Sequence, residues 1–251
     1  MNEIRKWYLN NRLRINIDKT KVMLLKSRSL DEINILIDEQ RIEQVRVIRY
    51  LGLMIDDQLK WDVHINNLCK SVAYKVHFLS KLSKTVNSTL LNILYKSMIQ
   101  PCYDYACSVW GNCPVVYKRN LLRTQKRAGR IVKNNFNYEE TSGINLMKEL
   151  SWPNIEQRRD YFLATLMYKC INGLAPLRLC NEIEMYFDRH NFNTRNANSL
   201  NVIVPKPNHN YYKQTFRYAG AKIWNQLPTD LQNATSLSMF KSKYKQLYLK
   251  F

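Results

Sequence analysis

Apolar residues along this chain change their spacing at Trp61. Before it, short runs alternate. KVMLLKS (21–27) reads as a strand, and INILIDEQRI (33–42) alternates Ile33, Ile35 and Ile37 before turning at Asp38-Glu39, a hairpin pattern. Val45, Val47 and the run to Ile55 predict a further strand. Residues 2–11 read as a short helix. From Trp61 onward the apolar positions recur every three or four residues: Ile65, Leu68, Val72, Val76, Leu79 and Leu82 form one helical stripe. The expected class is α+β: a small antiparallel sheet followed by a mostly α-helical remainder.

Further helices are predicted over Ser88–Gln100, stopping at Pro101, over Asp104–Trp110, and from Val116 through Lys133. Ser142 caps a short helix over Ile144–Leu150. Asn154–Asn172 is a long one, ended by Gly173 and Pro176. Residues 188–213 hold little periodicity and read as a long loop or extended arm. Helix returns over 215–226 and 236–251, the last with Leu237, Phe240, Tyr244, Leu247, Tyr248 and Phe251 on one face. Three segments follow from this pattern: 1–61 with the strands, 62–134 helical and basic, and 135–251 helical with the long loop near 188–213.

Charge sharpens the middle segment. The chain carries 39 Lys+Arg against 20 Asp+Glu, a net +19. Residues 66–133 hold twelve of the basic residues and a single acid, Asp104, and so +11 of that total. Such a charge predicts attraction to polyanions. The helix over 116–133 concentrates it: Lys118, Arg119, Arg123, Lys126, Arg127, Arg130 and Lys133, with no acid between them. Arg119, Arg123, Lys126/Arg127 and Arg130 fall on neighbouring turns and are expected to project to one side, with Leu121, Leu122, Ala128, Ile131 and Val132 facing a core. Seven like charges without a counter-ion repel, so a polyanionic partner explains them better than a solvated face does, and nucleic acid is the expected one.

Other chemistry is sparse. No 18-residue apolar run and no apolar signal core occur, which predicts no membrane span and an intracellular protein, nuclear or cytoplasmic. Six cysteines (69, 102, 107, 113, 170 and 180) form no CxxC pair. Cys102, Cys107 and Cys113 have the wrong spacing for a zinc knuckle, so all six are expected as reduced thiols with structural roles. There is no P-loop, GxSxG or HExxH. His64 and His77 do not share a helix face. Asp56-Asp57 is the tempting pair for metal-assisted chemistry, but its setting reads as a turn between strand and helix.

Two blocks near the start carry a resemblance: NRLRINIDKTK (11–21) and YLGLMIDDQLKW (50–61) followed by His64. They resemble the late palm of reverse transcriptases encoded by non-LTR (LINE-type, jockey-like) retrotransposons. Trp7, Asn11, Leu13, Asn16, Lys19 and Thr20 fit the fourth palm block. Tyr50, Leu51, Gly52, Asp56, Leu59, Trp61 and His64 fit the fifth, the primer grip. LYKSMIQPCYDYACSVWGN (94–112) and LLRTQKRAGRIV (121–132) resemble thumb segments. Further pieces follow in order: Arg158-Arg159, Tyr168-Lys169, Asn172 to Pro176, Thr194-Arg195, Phe216, Tyr218, Trp224-Asn225, Leu227-Pro228 and Phe240-Lys241.

What the resemblance implies is an RNA-directed DNA polymerase acting on RNA and DNA as template–primer, with magnesium in the full-length enzyme. It would make residues 1–61 a palm remnant and 62–134 a thumb. It would place Lys19 beside the incoming nucleotide's phosphates, Tyr50, Leu51 and Gly52 behind the primer terminus, and the basic residues Lys118 to Lys133 on the template–primer backbone. Arg195, Arg217 and Lys222 would add contacts from the tail. Tyr50, Trp61, Trp110 and Trp224 are expected in the core. In the family the metal aspartates precede the first block, and only ten residues stand before it here, so Asp56-Asp57 falls in the wrong order to be the catalytic doublet. No cofactor and no catalytic residue is therefore expected in this chain, which reads as a truncated relic or partial gene model without polymerase activity. Two alternatives stay open: a standalone nucleic-acid-binding module retained by a host, and a maturase-like RNA-binding protein.

Overall fold

A two-residue turn at Leu51-Gly52 sets the geometry of the N-terminal part. It joins β5 (Val47–Tyr50) to β6 (Leu53–Asp56) in an antiparallel hairpin with Val47 opposite Asp56. Leu51 (φ 46°) and Gly52 (φ 82°) both adopt positive φ, the requirement of a type I′ turn. The single strand expected over 45–55 is therefore folded back on itself, because a left-handed pair in mid-run reverses the chain whatever the apolar content on either side.

The computed structural model of the chain describes residues 2–25, 32–37, 39–138, 141–186, 200–207 and 210–249. About 57% of it is helical and 8% strand, which makes the fold α+β. The chain divides into two compact units, Met1–Asn66 and Asn67–Phe251.

In the first unit, α1 (Asn2–Asn10) leads to a turn built by Asn16. Its side chain accepts from Lys19 N at 3.0 Å and its carbonyl accepts from the Thr20 hydroxyl at 2.7 Å. β1 (Lys21–Val22) pairs in parallel with β4 (Glu43–Gln44), and Lys21 also forms an ion pair with Glu43. β2 (Leu36–Ile37) and β3 (Gln40–Arg41) pair antiparallel, as the alternation of Ile33, Ile35 and Ile37 foretold. Of the strand expected over 21–27, Lys21–Val22 is strand and residues 23–25 are not, and in place of one antiparallel sheet there are, among the described residues, three separate two-stranded pairs, one of them parallel. None of these pairs has the third strand that makes a sheet stable by itself.

α2 (Asp62–Leu82) carries the predicted stripe: Ile65, Val72, Val76 and Leu79 are all buried. In the second unit, α3 (Ser88–Leu94) passes without a break into one π-helical turn (Tyr95–Ile99) and then α4 (Gln100–Asp104). Pro101, expected to stop the helix, sits inside the run instead. The π turn absorbs it: Gln100 N–H reaches back five residues to the Tyr95 carbonyl, so proline's missing donor falls at the start of a fresh helical segment, where it is tolerated. The run ends before α5 (Cys107–Trp110), where Ala106 adopts a left-handed conformation.

α6 (Val115–Lys133) packs on α7 (Gly143–Glu149), α8 (Ile155–Ile171) and α3. Tyr95 and Trp152 stack here with ring centres 3.5 Å apart, and Trp152 Nε1 donates to Asn92 at 2.8 Å. Buried Gln125 donates from α6 to the Tyr95 hydroxyl and to the Pro153 carbonyl. The first two helices predicted after residue 135 have their caps: Ser142 on α7, and Asn154 on α8 in a capping box with Gln157.

After the short α9 (Leu177–Cys180), a second cluster joins α8 to α10 (Phe216–Asn225), α11 (Thr229–Gln232) and α12 (Leu237–Tyr248), around Met167, Tyr168, Trp224 and Phe240. Gly220 permits the close approach of α10 to α8, since a Cβ there would come within 2.9 Å of Met167. Asn225 fixes the extended stretch near Val202 by accepting from its N–H and donating to its carbonyl, both at 2.9 Å. Most of the loop expected over 188–213 lies outside the described residues, as do Glu139, Glu140, Thr194, Arg195 and Phe251. No described helix is long and apolar enough to cross a membrane.

Candidate nucleic-acid interface

α6 is amphipathic by construction. Leu121, Gln125, Ala128, Gly129, Ile131 and Val132 are buried on one side. On the other, Arg119, Arg123 and Arg127 are exposed on successive turns. At 3.6 residues per turn they fall within about 80° of arc, one projecting row. No hydrogen bond or ion pair holds these three among the described residues. Lys126 lies beside the row, its stem against Gly143 of α7.

The other basic residues of α6 have partners. Lys118 meets Glu156 of α8 at 3.5 Å, and Lys133 meets Glu149 of α7 at 3.2 Å. The counter-ions absent from the helix's own sequence thus arrive from helices that follow it. Arg130 departs further from expectation. The helical wheel sets it beside Arg123, yet it is only 5% exposed. α6 ends in left-handed Asn134 (φ 49°), and the chain folds back over the last turn. Arg130 then donates to the carbonyls of Asn137 (3.1 Å), Thr141 (2.8 Å) and, at longer range, Asn135 (3.4 Å), with its guanidinium 3.9 Å from the Tyr138 ring centre. It does not project with the other three; it organises the segment after the helix.

In the first unit, Tyr50, Leu51 and Gly52 form the hairpin tip. Tyr50 is 61% exposed, against the expectation that it packs in a core, while Trp61, Trp110 and Trp224 are buried as expected. Lys19 is exposed on its turn. Of the basic tail residues, Arg217 is paired with Glu182 and Glu184, both at 3.2 Å, and the Lys222 ammonium lies 5.6 Å from the Tyr218 ring centre.

Asp56 and Asp104 both have structural partners. Asp56 is 6% exposed, and its two oxygens accept from the backbone N–H groups of Gln58 (3.1 Å), Lys60 (2.9 Å) and Trp61 (2.7 Å). It closes the loop between β6 and α2, the turn that its setting in the sequence suggested. His64 accepts from Met54 N–H at its Nδ1 (3.5 Å) and meets Trp61 edge-to-face; burial pushes its pKa below the ordinary value. Asp104, the lone acid of the basic segment, is gripped at both oxygens by Arg158 of α8, each at 2.5 Å. Sequence reading missed this pair, since 54 residues separate its members.

Magnesium of the kind that the resemblance implies needs converging carboxylates. Asp56 is committed to three N–H groups, and among the described residues no three of His, Cys, Asp and Glu stand close enough to hold a metal ion. The described side chains do not fit such a centre. Cys107 and Cys113 are buried, and burial pushes their thiols up to about 12 and about 11, away from the reactive thiolate.

Two curated proteins of Drosophila melanogaster match this sequence. The probable RNA-directed DNA polymerase from transposon X-element is 25% identical over 132 residues, 51% of this chain. The RNA-directed DNA polymerase from mobile element jockey is 26% identical over 114 residues, 44% of this chain. The matched segments span 14% and 12% of those polymerases' own lengths. No protein-family profile and no solved structure matches the chain. Roughly half of this chain is therefore a region related to the reverse transcriptases of non-LTR retrotransposons.

Proposed function

We propose that this chain holds the nucleic-acid-binding part of a non-LTR-type reverse transcriptase, the region following its catalytic aspartates, and that α6 is its contact with the template–primer backbone. The observation that carries this reading is the row Arg119, Arg123 and Arg127: exposed, on successive turns, and unclaimed by any acid among the described residues. Guanidinium groups so placed are suited to phosphate oxygens, and such contacts position a duplex without reading its sequence. Lys126 lends charge at the edge of the row. Lys118 and Lys133 contribute less, because Glu156 and Glu149 already offset them. Exposed Lys19 and the tip Tyr50-Leu51-Gly52 belong to the same reading as contacts to phosphate and primer end. By itself the chain binds and does not polymerise: Asp56, the acid that opens the Asp56-Asp57 pair, is spent on closing a loop, and that pair falls in the wrong order for the family's catalytic doublet.

Binding of a fluorescent RNA–DNA hybrid, followed by anisotropy between 50 and 200 mM salt, tests this. Affinity should fall steeply with salt, at about 0.9 in log–log slope per phosphate neutralised. Substituting Arg119, Arg123 and Arg127 together by Gln should reduce the slope by roughly 2–3. An unchanged slope would refute the α6 face. Incorporation of dNTP on a primed RNA template, abolished by EDTA, would refute the absence of polymerisation. Preference for one structured RNA over generic hybrid would favour the maturase-like alternative.

A further inference from the structure

A second basic concavity lies away from the arginine row. It is a cleft of about 480 Å³ in the second unit, bounded by the π turn, the start of α8 and the last turns of α12. Lys96, Arg158 and Lys245 line it with the neutral polar groups of Gln100, Ser242 and Gln246, and among the described residues no Asp or Glu is in its wall. Arg158 is fixed in place: Asp104 grips two of its nitrogens, and Gln100 Oε1 accepts from Nη1 at 2.8 Å in the amide orientation that satisfies both residues. Lys96 and Lys245 face no carboxylate within ion-pair reach among the described residues. They are far apart in sequence, and only the packing of α12 beside α8 brings them to one wall.

We propose that this cleft is a phosphate-binding site, taking the phosphate of a strand end or of a free nucleotide. The ammonium groups of Lys96 and of Lys245, the latter 5.7 Å from the Tyr161 ring centre, converge with hydroxyl and amide donors beside Arg158, whose charge Asp104 already offsets, so the two lysines supply the free charge of the site. A phosphate group offers several charged acceptors to such a donor set. The volume admits a nucleotide-sized ligand. The site uses other elements than the α6 row and stands or falls apart from it.

Calorimetric titration of the full chain tests this with three probes: inorganic phosphate, a nucleoside 5′-monophosphate, and a short oligonucleotide with or without a 5′-phosphate. All the phosphorylated probes should bind. The double variant K96Q/K245Q should weaken inorganic phosphate and mononucleotide binding by at least about tenfold, while K96R/K245R keeps it. The triple variant R119Q/R123Q/R127Q should leave phosphate and mononucleotide binding unchanged, so failure of the α6 reading does not imitate failure here. A 5′-phosphorylated strand tighter than its 5′-hydroxyl twin identifies a strand end; a mononucleotide as tight as the strand identifies a free nucleotide. Equal affinities for the native chain and K96Q/K245Q, or no binding of any phosphate by the native chain, would overturn the proposal.

Discussion

Replacing Arg130 by methionine separates the structural arginine of α6 from the three assigned to nucleic acid. Methionine keeps much of the length and packs in the same space, but leaves the Asn137 and Thr141 carbonyls without the donor that reaches them at 3.1 and 2.8 Å. Hydrogen bonds to a charged group contribute about 1.5–3 kcal/mol each. The 3.4 Å contact to Asn135 adds little, and the Tyr138 stack about 0.5–1 kcal/mol. Against this, the variant no longer buries a guanidinium that has no carboxylate partner among the described residues. The net loss is about 3 kcal/mol. At roughly 2–4 °C per kcal/mol for a chain of this size, the melting temperature should fall by roughly 6–12 °C. Circular dichroism measures the shift, and hybrid anisotropy run in parallel on Arg123→Gln supplies the contrast. Arg130→Met should leave the salt slope unchanged, whereas Arg123→Gln should lower it by about 0.9 with little loss of stability. A melting temperature unmoved by Arg130→Met, together with a slope reduced as in Arg123→Gln, would place Arg130 on the binding face and refute the structural role.

Three further expectations concern the first unit. Leu51→Asn should raise stability in urea titration by about 1 kcal/mol, because Leu51 holds φ 46° in a type I′ turn where Asn is favoured; a loss would mean the leucine side chain stabilises the tip by more than its backbone costs. Asp56→Ala should destabilise by about 2–4 kcal/mol, and Asp56→Asn by less, since one oxygen survives to accept from the loop N–H groups; equal losses would show that charge and not acceptor geometry closes the loop. His64 has a folded-state pKa below the ordinary 6.5, so between the two values the unfolded chain binds more protons and stability rises with pH. Its contribution is full above about 6.5 and is lost as pH falls toward the lowered value, and His64→Gln should flatten that part of the stability–pH curve.

The helices were legible in the sequence because their signals are local. A stripe at 3.6-residue spacing buries Ile65, Val72, Val76 and Leu79 of α2 wherever that helix lies, and the caps at Ser142 and Asn154 act within one turn. The row Arg119, Arg123 and Arg127 follows from the same geometry. The strands were less legible, since Leu51 gives no local warning that it will turn left-handed. A proline read as a stop is likewise outweighed when a π turn supplies the missing residue of spacing before Pro101.

Charge could be counted from the sequence but not assigned. The +11 over residues 66–133 identified the basic region. It could not reveal that Glu156 and Glu149 would reach Lys118 and Lys133, that Arg158 would take Asp104, or that a returning loop would bury Arg130. Nor could it bring Lys96 and Lys245 to one cleft. The physical reason is range. Helix periodicity and capping depend on neighbours within about four residues, and the chain carries that information in itself. Which charges remain open to a partner depends on groups tens of residues away, and only tertiary packing decides where those come to rest.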